Sequence, residues 1–460
     1  MFKTFLFILL LLAGCQSFLA SSSSISEGRV NLYLSTSSKS PPDITFSLEK
    51  IELEGEDRKW ITLFKGKKEI NSITLVDHQI FIAETDLSAG RYRRLRVTVT
   101  DASIVRAGKK RSLALASTSE DNTLFIQFQM YRNECNSLFL NWDPDKSIKD
   151  KYLFIPVITL KPQKMEIRRL VLYVTNTGSN SITVINRQND HVVGTICVDK
   201  APMGIVANPL GDIVYVANSD SNTISIIDTS HHRVIDTIPI NLGISPRELA
   251  ISPDGSRLYV SNYHSNNVSV IDTVSINLLG QFHVGNNPLG IATNTRGNRL
   301  YVVNSASNNL SVIDPSIFKV IKTVTLGSNP TDLLVDENRI LIANAGSNRI
   351  YQINIHSLIV EKEMSAGLGS HRLISGLMDN IYSSNRNSND ISIIPSSTNI
   401  EIQRIAVHDI PQGMALDRER RKLYVANEGS NNVSVIDLIK EKMIVSIPVG
   451  NKPYGLALVK

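Results

Sequence analysis

Between Tyr173 and Asn427 one four-residue pattern returns seven times, and it constrains the fold more than any other feature of the 460-residue chain. Tyr173-Val174-Thr175-Asn176 recurs as Tyr215-Val216-Ala217-Asn218, Tyr259-Val260-Ser261-Asn262, Tyr301-Val302-Val303-Asn304, Leu341-Ile342-Ala343-Asn344, Tyr382-Ser383-Ser384-Asn385 and Tyr424-Val425-Ala426-Asn427. The asparagines are spaced 42, 44, 42, 40, 41 and 42 residues apart. Such a period fixes the architecture before local propensities matter. Within one unit, Gly290–Thr293, Arg299–Asn304, Leu310–Asp314 and Val320–Leu326 suit strands. Turns rich in Gly, Asn, Ser and Pro separate them. Four short antiparallel strands in roughly 40 residues make a β-propeller blade, whereas helical repeats of that length would show a 3.6-residue period. The chain is therefore expected to be all-β.

These units resemble the YVTN repeat family of β-propellers, also seen in bacterial and archaeal surface proteins. The resemblance runs from about Leu170 to Lys460 and implies seven blades. A signature of the innermost strand, Pro202-Met203-Gly204, precedes six of the seven asparagine markers in some form, but not Asn176. A spare copy, Pro453-Tyr454-Gly455-Leu456-Ala457, ends the chain. It is expected to complete the first blade beside Leu170–Asn176 and remove an open sheet edge.

The N-terminus reads as a targeting segment, with Lys3 before an apolar run, Phe5–Leu12, too short to span a bilayer. Leu12-Ala13-Gly14-Cys15 resembles the bacterial lipobox, which implies cleavage after residue 14 and lipidation of Cys15. The alternative is an ordinary secretory peptide that discards Cys15. Gln16 stands where an aspartate would favour inner-membrane retention in enterobacteria, so the resemblance points to an outer-membrane lipid anchor. A Ser-rich tether fills residues 15–27, a β-sandwich domain is expected over 28–164 and the propeller over 165–460. Cys135 and Cys197 fall one in each domain, a distribution that indicates no disulfide framework.

Within 28–164, Val30, Leu32 and Leu34 alternate, as do Ile44, Phe46 and Leu48, the pattern of a sandwich strand. Gly90–Arg96, Phe139–Asp143 and Tyr152–Val157 are similar to a prealbumin-like sandwich domain of bacterial lipoproteins, a family with no activity to carry over. The basic residues Arg91, Arg93, Arg94, Arg96, Lys109, Lys110 and Arg111 are placed either to meet anionic lipid or polysaccharide or to form a solvated strand edge. Gln16–Lys164 holds 22 Lys and Arg against 18 Asp and Glu, whereas Met165–Lys460 holds 25 of each. The neutral propeller lacks the basic face that nucleic-acid binding needs.

Repeated residues have a structural explanation first: the marker asparagines satisfy loop backbone, and Asp228, Asp272, Asp314 and Asp437 close strands with Asx turns. Asn267, Asn309 and Asn432 begin N-glycosylation patterns that the repeat itself demands. A functional site should break the symmetry. The residue after the inner-strand proline is expected to read Met203, Arg247, Leu289, Thr331, Arg372 (with His371 replacing the proline), Gln412 and Tyr454, near one mouth of the channel. Arg247 and Arg372 then suit a carboxylate or phosphate, with Tyr454 as a stacking face, unless Glu248 and Asp332 neutralise them. His231 and His232 should face the end opposite to His264, so no shared metal site follows. Zinc-ligand spacings, phosphate loops and nucleophile elbows are absent, and no cofactor is expected. The leading expectation is a non-catalytic binding or adhesion protein for a protein or glycan ligand. A periplasmic scaffold, a surface-layer-like architectural protein and a propeller enzyme of lactonase, lyase or dehydrogenase-subunit type are the alternatives.

Overall fold

The computed structural model describes residues 27–115, 123–163, 170–398 and 400–459. Its N-terminal part is a sandwich of two main sheets. One has the order Val157–Pro162, Cys135–Asp143, Glu27–Thr36, Gln79–Ser88, with a parallel central pair between Glu27–Thr36 and Cys135–Asp143. The other is built on the long strand Gly90–Arg106. Ile44–Gly55 and then Trp60–Asn71 lie on one side of it, and Lys109–Ser112 and Thr123–Met130 on the other. The expected alternation is observed: Val30, Leu32 and Leu34 meet Phe46, Leu48 and Ile51 in one core around the fully buried Trp142. The solvent face of the second sheet carries cross-strand pairs instead.

From Val171 to Val459 the described residues form seven separate four-stranded antiparallel sheets in a propeller-like arrangement. Each Tyr-Val-x-Asn strand is the second of its sheet, and it is buried on both faces because it lies between neighbouring sheets, which explains its continuous apolar character. Outermost strands such as Lys319–Thr325 are mostly exposed and charged, which protects an unpaired edge from association. Each innermost strand lies against the next, and Pro453–Val459 lies against both Pro202–Ala207 and Pro411–Asp417. This last strand pairs antiparallel with Val171–Asn176 in the sheet that begins the repeats.

A small loop device joins consecutive sheets. Four residues after every marker stands another asparagine, and all seven have positive φ, between 51° and 58°. Asparagine tolerates that conformation better than most side chains. Each accepts a hydrogen bond from a backbone N–H of the following sheet; Asn222 accepts from Ser245 at 2.8 Å, and Asn431 accepts from Lys452 at 2.8 Å across the junction of the chain ends.

The same junction contains a buried ionic cluster. Arg187 pairs with Asp417 at 2.6 Å and donates to the Val459 carbonyl at 2.9 Å. Asp190 accepts from Lys422 at 2.6 Å and from the Tyr424 hydroxyl at 2.8 Å. Burial, and after it the Asp190 carboxylate, push the Tyr424 phenol far up.

The two domains are joined covalently, contrary to the expectation from cysteine distribution: Cys135 and Cys197 form a disulfide. Cysteines in separate domains meet because the strands that carry them, Cys135–Asp143 and His191–Cys197, pack together. Around the bridge, Tyr33, Phe81 and Phe139 cover the first and last repeat sheets. Asn31 and Ser137 both contact the buried Thr195 hydroxyl, at 3.1 and 2.9 Å. The expected boundary at residue 164/165 falls just outside the described segments.

Candidate functional site

Strand register corrects one of the expected site positions. The marker Asn262 pairs with Pro246, Asn304 with Pro288 and Asn344 with Pro330, but Asn385 pairs with Ser370. Ser370, not His371, therefore occupies the proline position. The layer behind it reads Met203, Arg247, Leu289, Thr331, His371, Gln412 and Tyr454. Arg372 moves one layer deeper, level with Gly204, Glu248, Gly290, Asp332, Gly413 and Gly455. The motif at the sixth sheet lacks the proline, so sequence alignment slipped by one residue there.

This deeper layer explains itself. Its four glycines lie where a Cβ would strike a neighbouring inner strand; at Gly204 it would sit 2.4 Å from the Arg247 carbonyl oxygen. The remaining three positions, Glu248, Asp332 and Arg372, fill the axis. Arg372 pairs with Glu248 and, at 3.2 Å, with Asp332, and all three side chains are largely buried. Tyr454 donates to Glu248 at 2.8 Å, and the second oxygen of Asp332 accepts from the Leu373 backbone at 2.9 Å. Burial pushes the Asp332 carboxyl up against the pull of Arg372, and pushes the Tyr454 phenol up to about 12. The expected neutralisation of arginine by Glu248 and Asp332 thus holds for Arg372.

Arg247 differs. Its guanidinium lies 5.0 Å from the Tyr263 ring centroid and 6.0 Å from that of Tyr454. Its buried Nε has no partner, and among the described residues it forms no ion pair. Nearby, burial and the charges of Arg372, Arg386 and Arg247 hold the His371 imidazole well below its ordinary value, hence neutral. His371 Nε2 and Gln412 Oε1 are buried without hydrogen-bond partners. Gln412 donates to Glu428, which also pairs with Arg386 at 2.9 Å. Arg247, Arg372 and Tyr454 are therefore brought together as expected, in two layers rather than one.

Tyr263, Arg386 and Glu428 escaped the sequence reading although a signal was available. The residue after the marker is small in four repeats, Thr177, Ser219, Ser305 and Ala345, and large in these three. That column breaks the repeat as the inner-strand column does. The repeating polar residues take part elsewhere: marker amides donate to a third-strand hydroxyl, as from Asn304 to Ser311 at 2.9 Å, and loop serines such as Ser265 accept from the neighbouring loop, here from Ile244 N–H at 2.9 Å. Asp272 and Asp437 make the Asx turns expected of them.

Other candidates resolve into structure. His232 is buried against the Tyr173 hydroxyl at 2.5 Å, His231 pairs with Asp228, and His264 packs edge-on against Tyr263. Among the described residues no His, Cys, Asp and Glu cluster suits a metal ion. Of the basic cluster, Arg94 pairs with Glu54, Arg96 with Glu52 at 2.7 Å and Arg93 with Glu56 at 3.4 Å; Arg96 also lies over Trp60. Lys109, Lys110 and Arg111 are exposed on a short edge strand. An open groove of about 760 Å³ is lined by Arg91, Tyr92, Arg93 and Phe125. Cys15 and its tether lie outside the described residues, and among those described no helix is long and apolar enough to cross a membrane.

With this geometry in hand, residues 27–156 match a family described as a domain of unknown function, DUF4382. No curated protein matches the chain. Similar solved structures include the hydrazine synthase of Kuenenia stuttgartiensis, at 20% identity and TM-score 0.50, over 56% of this chain and 89% of that one. A functionally unknown protein from Desulfotomaculum acetoxidans aligns at 14% identity and TM-score 0.56, over 63% and 98%. The dihydro-heme d1 dehydrogenase NirN aligns at 15% identity and TM-score 0.51, over 63% and 75%. At such identities the likeness concerns the fold alone: the chain joins a region that matches the DUF4382 model to a propeller-like array of β-sheets.

Proposed function

We propose that this chain is a non-catalytic binding protein of the bacterial envelope, anchored to the outer membrane through lipid on Cys15. Its repeats form a seven-bladed propeller closed by the C-terminal strand, and one propeller face engages a protein or glycan. The observation that carries this reading is the gathering of non-repeating side chains at one axial mouth: Arg247, Tyr263, His371, Arg386, Gln412, Glu428 and Tyr454. Repeats make a symmetric scaffold by themselves, so a cluster that departs from the repeat and brings unpartnered polar atoms together suits recognition.

The disulfide supports an oxidising compartment. The sandwich docks on the outer strands of the first and last repeat sheets. Absence of catalysis is argued from the axial carboxylates, since Glu248 and Asp332 are each engaged by Arg372 and neither is available as a base.

Purified full-length mature protein should bind glycans or envelope proteins of its host saturably and without turnover, as read on glycan arrays and by calorimetry. Absence of any saturable ligand would sink the proposal. Proteinase digestion of the propeller in intact cells would favour adhesion outside the cell, and protection until lysis the periplasmic scaffold.

A further inference from the structure

The third repeat sheet departs from its sisters in two ways at the same mouth. The loop leading into its inner strand, residues 240–245, has six residues, where the other six sheet-to-sheet loops have four. That insertion accounts for the single 44-residue step in the repeat. It exposes Leu242 to 84% and Ile244 to 53%, unusual for side chains of that size in a short loop. Two residues after it, beyond Pro246, comes Arg247, which forms no ion pair among the described residues.

Arg247 is oriented by aromatic faces. Tyr263 and Tyr454 offer π-faces to the guanidinium, which holds it without using its hydrogen-bond donors. Both axial carboxylates are committed elsewhere, Glu248 to Arg372 and Tyr454, and Asp332 to Arg372 and the Leu373 amide. The neighbouring Arg386 is paired with Glu428. An arginine that meets no acceptor among the described residues, close in sequence to a loop with exposed aliphatic side chains, is complementary to an anion that carries an apolar part.

We infer that the axial mouth binds a carboxylate attached to an apolar or ring-bearing group, with Arg247 pairing the carboxylate and Leu242 and Ile244 covering the apolar portion. The inference rests on the binding-protein reading above and names the ligand class for its site. The same chemistry arises from a free small acid, a sugar acid or a peptide C-terminus.

The test uses the full mature chain and ¹⁹F NMR titration with 4-fluorophenylacetate, and with the neutral 4-fluorobenzyl alcohol as control. The acid should bind and the alcohol should not. Arg247→Gln should weaken the acid on the order of tenfold to hundredfold, as for loss of a charge-assisted hydrogen-bonded pair. Its thermal midpoint should stay close to the parent's, because the residue makes no hydrogen bond among the described residues. Leu242→Ser with Ile244→Ser, on loop residues exposed to solvent, should weaken the acid less. Competition by glucuronate or by the dipeptide Ala-Phe then identifies the natural source. Equal binding of acid and alcohol, no binding of the acid, or an unchanged affinity in Arg247→Gln overturns the inference. If glycan or protein binding persists in that outcome, the platform reading stands without it; if it is absent too, both fall.

Discussion

Two charge clusters lie in this propeller, and they are built to opposite specifications. At the junction of the chain ends, Arg187, Arg420 and Lys422 each reach a carboxylate, Asp417 or Asp190, and Arg187 also holds the last strand by its backbone. At the axial mouth Arg372 is matched by Glu248 and Asp332, but Arg247 is left with only aromatic faces. Buried charges are tolerated when paired, so a cluster in which every cation reaches a carboxylate reads as part of the fold. An incomplete one at a solvent-reaching mouth reads as half of an interaction.

The comparison can be broken most forcefully at the junction. Asp417→Ala leaves Arg187 buried without its carboxylate and should cost roughly 3–5 kcal/mol by denaturant unfolding. Replacing the pair together, Arg187→Met with Asp417→Leu, should recover much of that loss. A double variant no better than the single one would mean that the pair contributes more than mutual neutralisation.

Next in size is the bridge beside that junction. Cys135→Ser with Cys197→Ser should lower stability by about 2–4 kcal/mol, and added reductant should reproduce the effect in the parent but not in the variant. Unchanged unfolding under reductant would show that the aromatic contact of Tyr33, Phe81 and Phe139 suffices to hold the sandwich.

The mouth sharpens the comparison through acid. His371 stays neutral in the folded chain at values where the unfolded chain, near 6.5, takes up its proton. Stability is therefore complete above that value and falls as pH drops below it. His371→Gln should flatten that slope in pH-dependent unfolding; an equal slope in both proteins would show that another group titrates. The smallest effect is expected where ligand rather than protein completes the cluster. Arg247→Gln should change stability by no more than about 1 kcal/mol, the scale of a partly exposed cation–π contact. A loss as large as that of Asp417→Ala would make Arg247 a structural residue and erase the contrast.

Much of the fold was legible because it repeats. Seven Tyr-Val-x-Asn strands mark seven sheets, and the spare Pro453-Tyr454-Gly455 copy identified the strand that joins Val171–Asn176. Arg247 and Tyr454 were found as breaks in one repeating column. Arg372 was assigned one layer off, since without a proline only backbone pairing reveals that Ser370 opposes Asn385. Tyr263, Arg386 and Glu428 went unnoticed because their column was not compared.

What the sequence determined alone was local and periodic: strand positions, turn asparagines, the order of sheets and the alternation of the sandwich, all consequences of residue spacing along one chain. What only the tertiary structure decided were meetings between residues remote in sequence. Cys135 found Cys197 because the strands that carry them pack together, Arg187 found Asp417 because the first and last repeat sheets are neighbours, and Arg372 took both axial carboxylates while Arg247 took none. Ion pairing and disulfide formation depend on distances of a few ångströms, and such distances between separate sheets are set by packing around the axis rather than by any spacing in the chain.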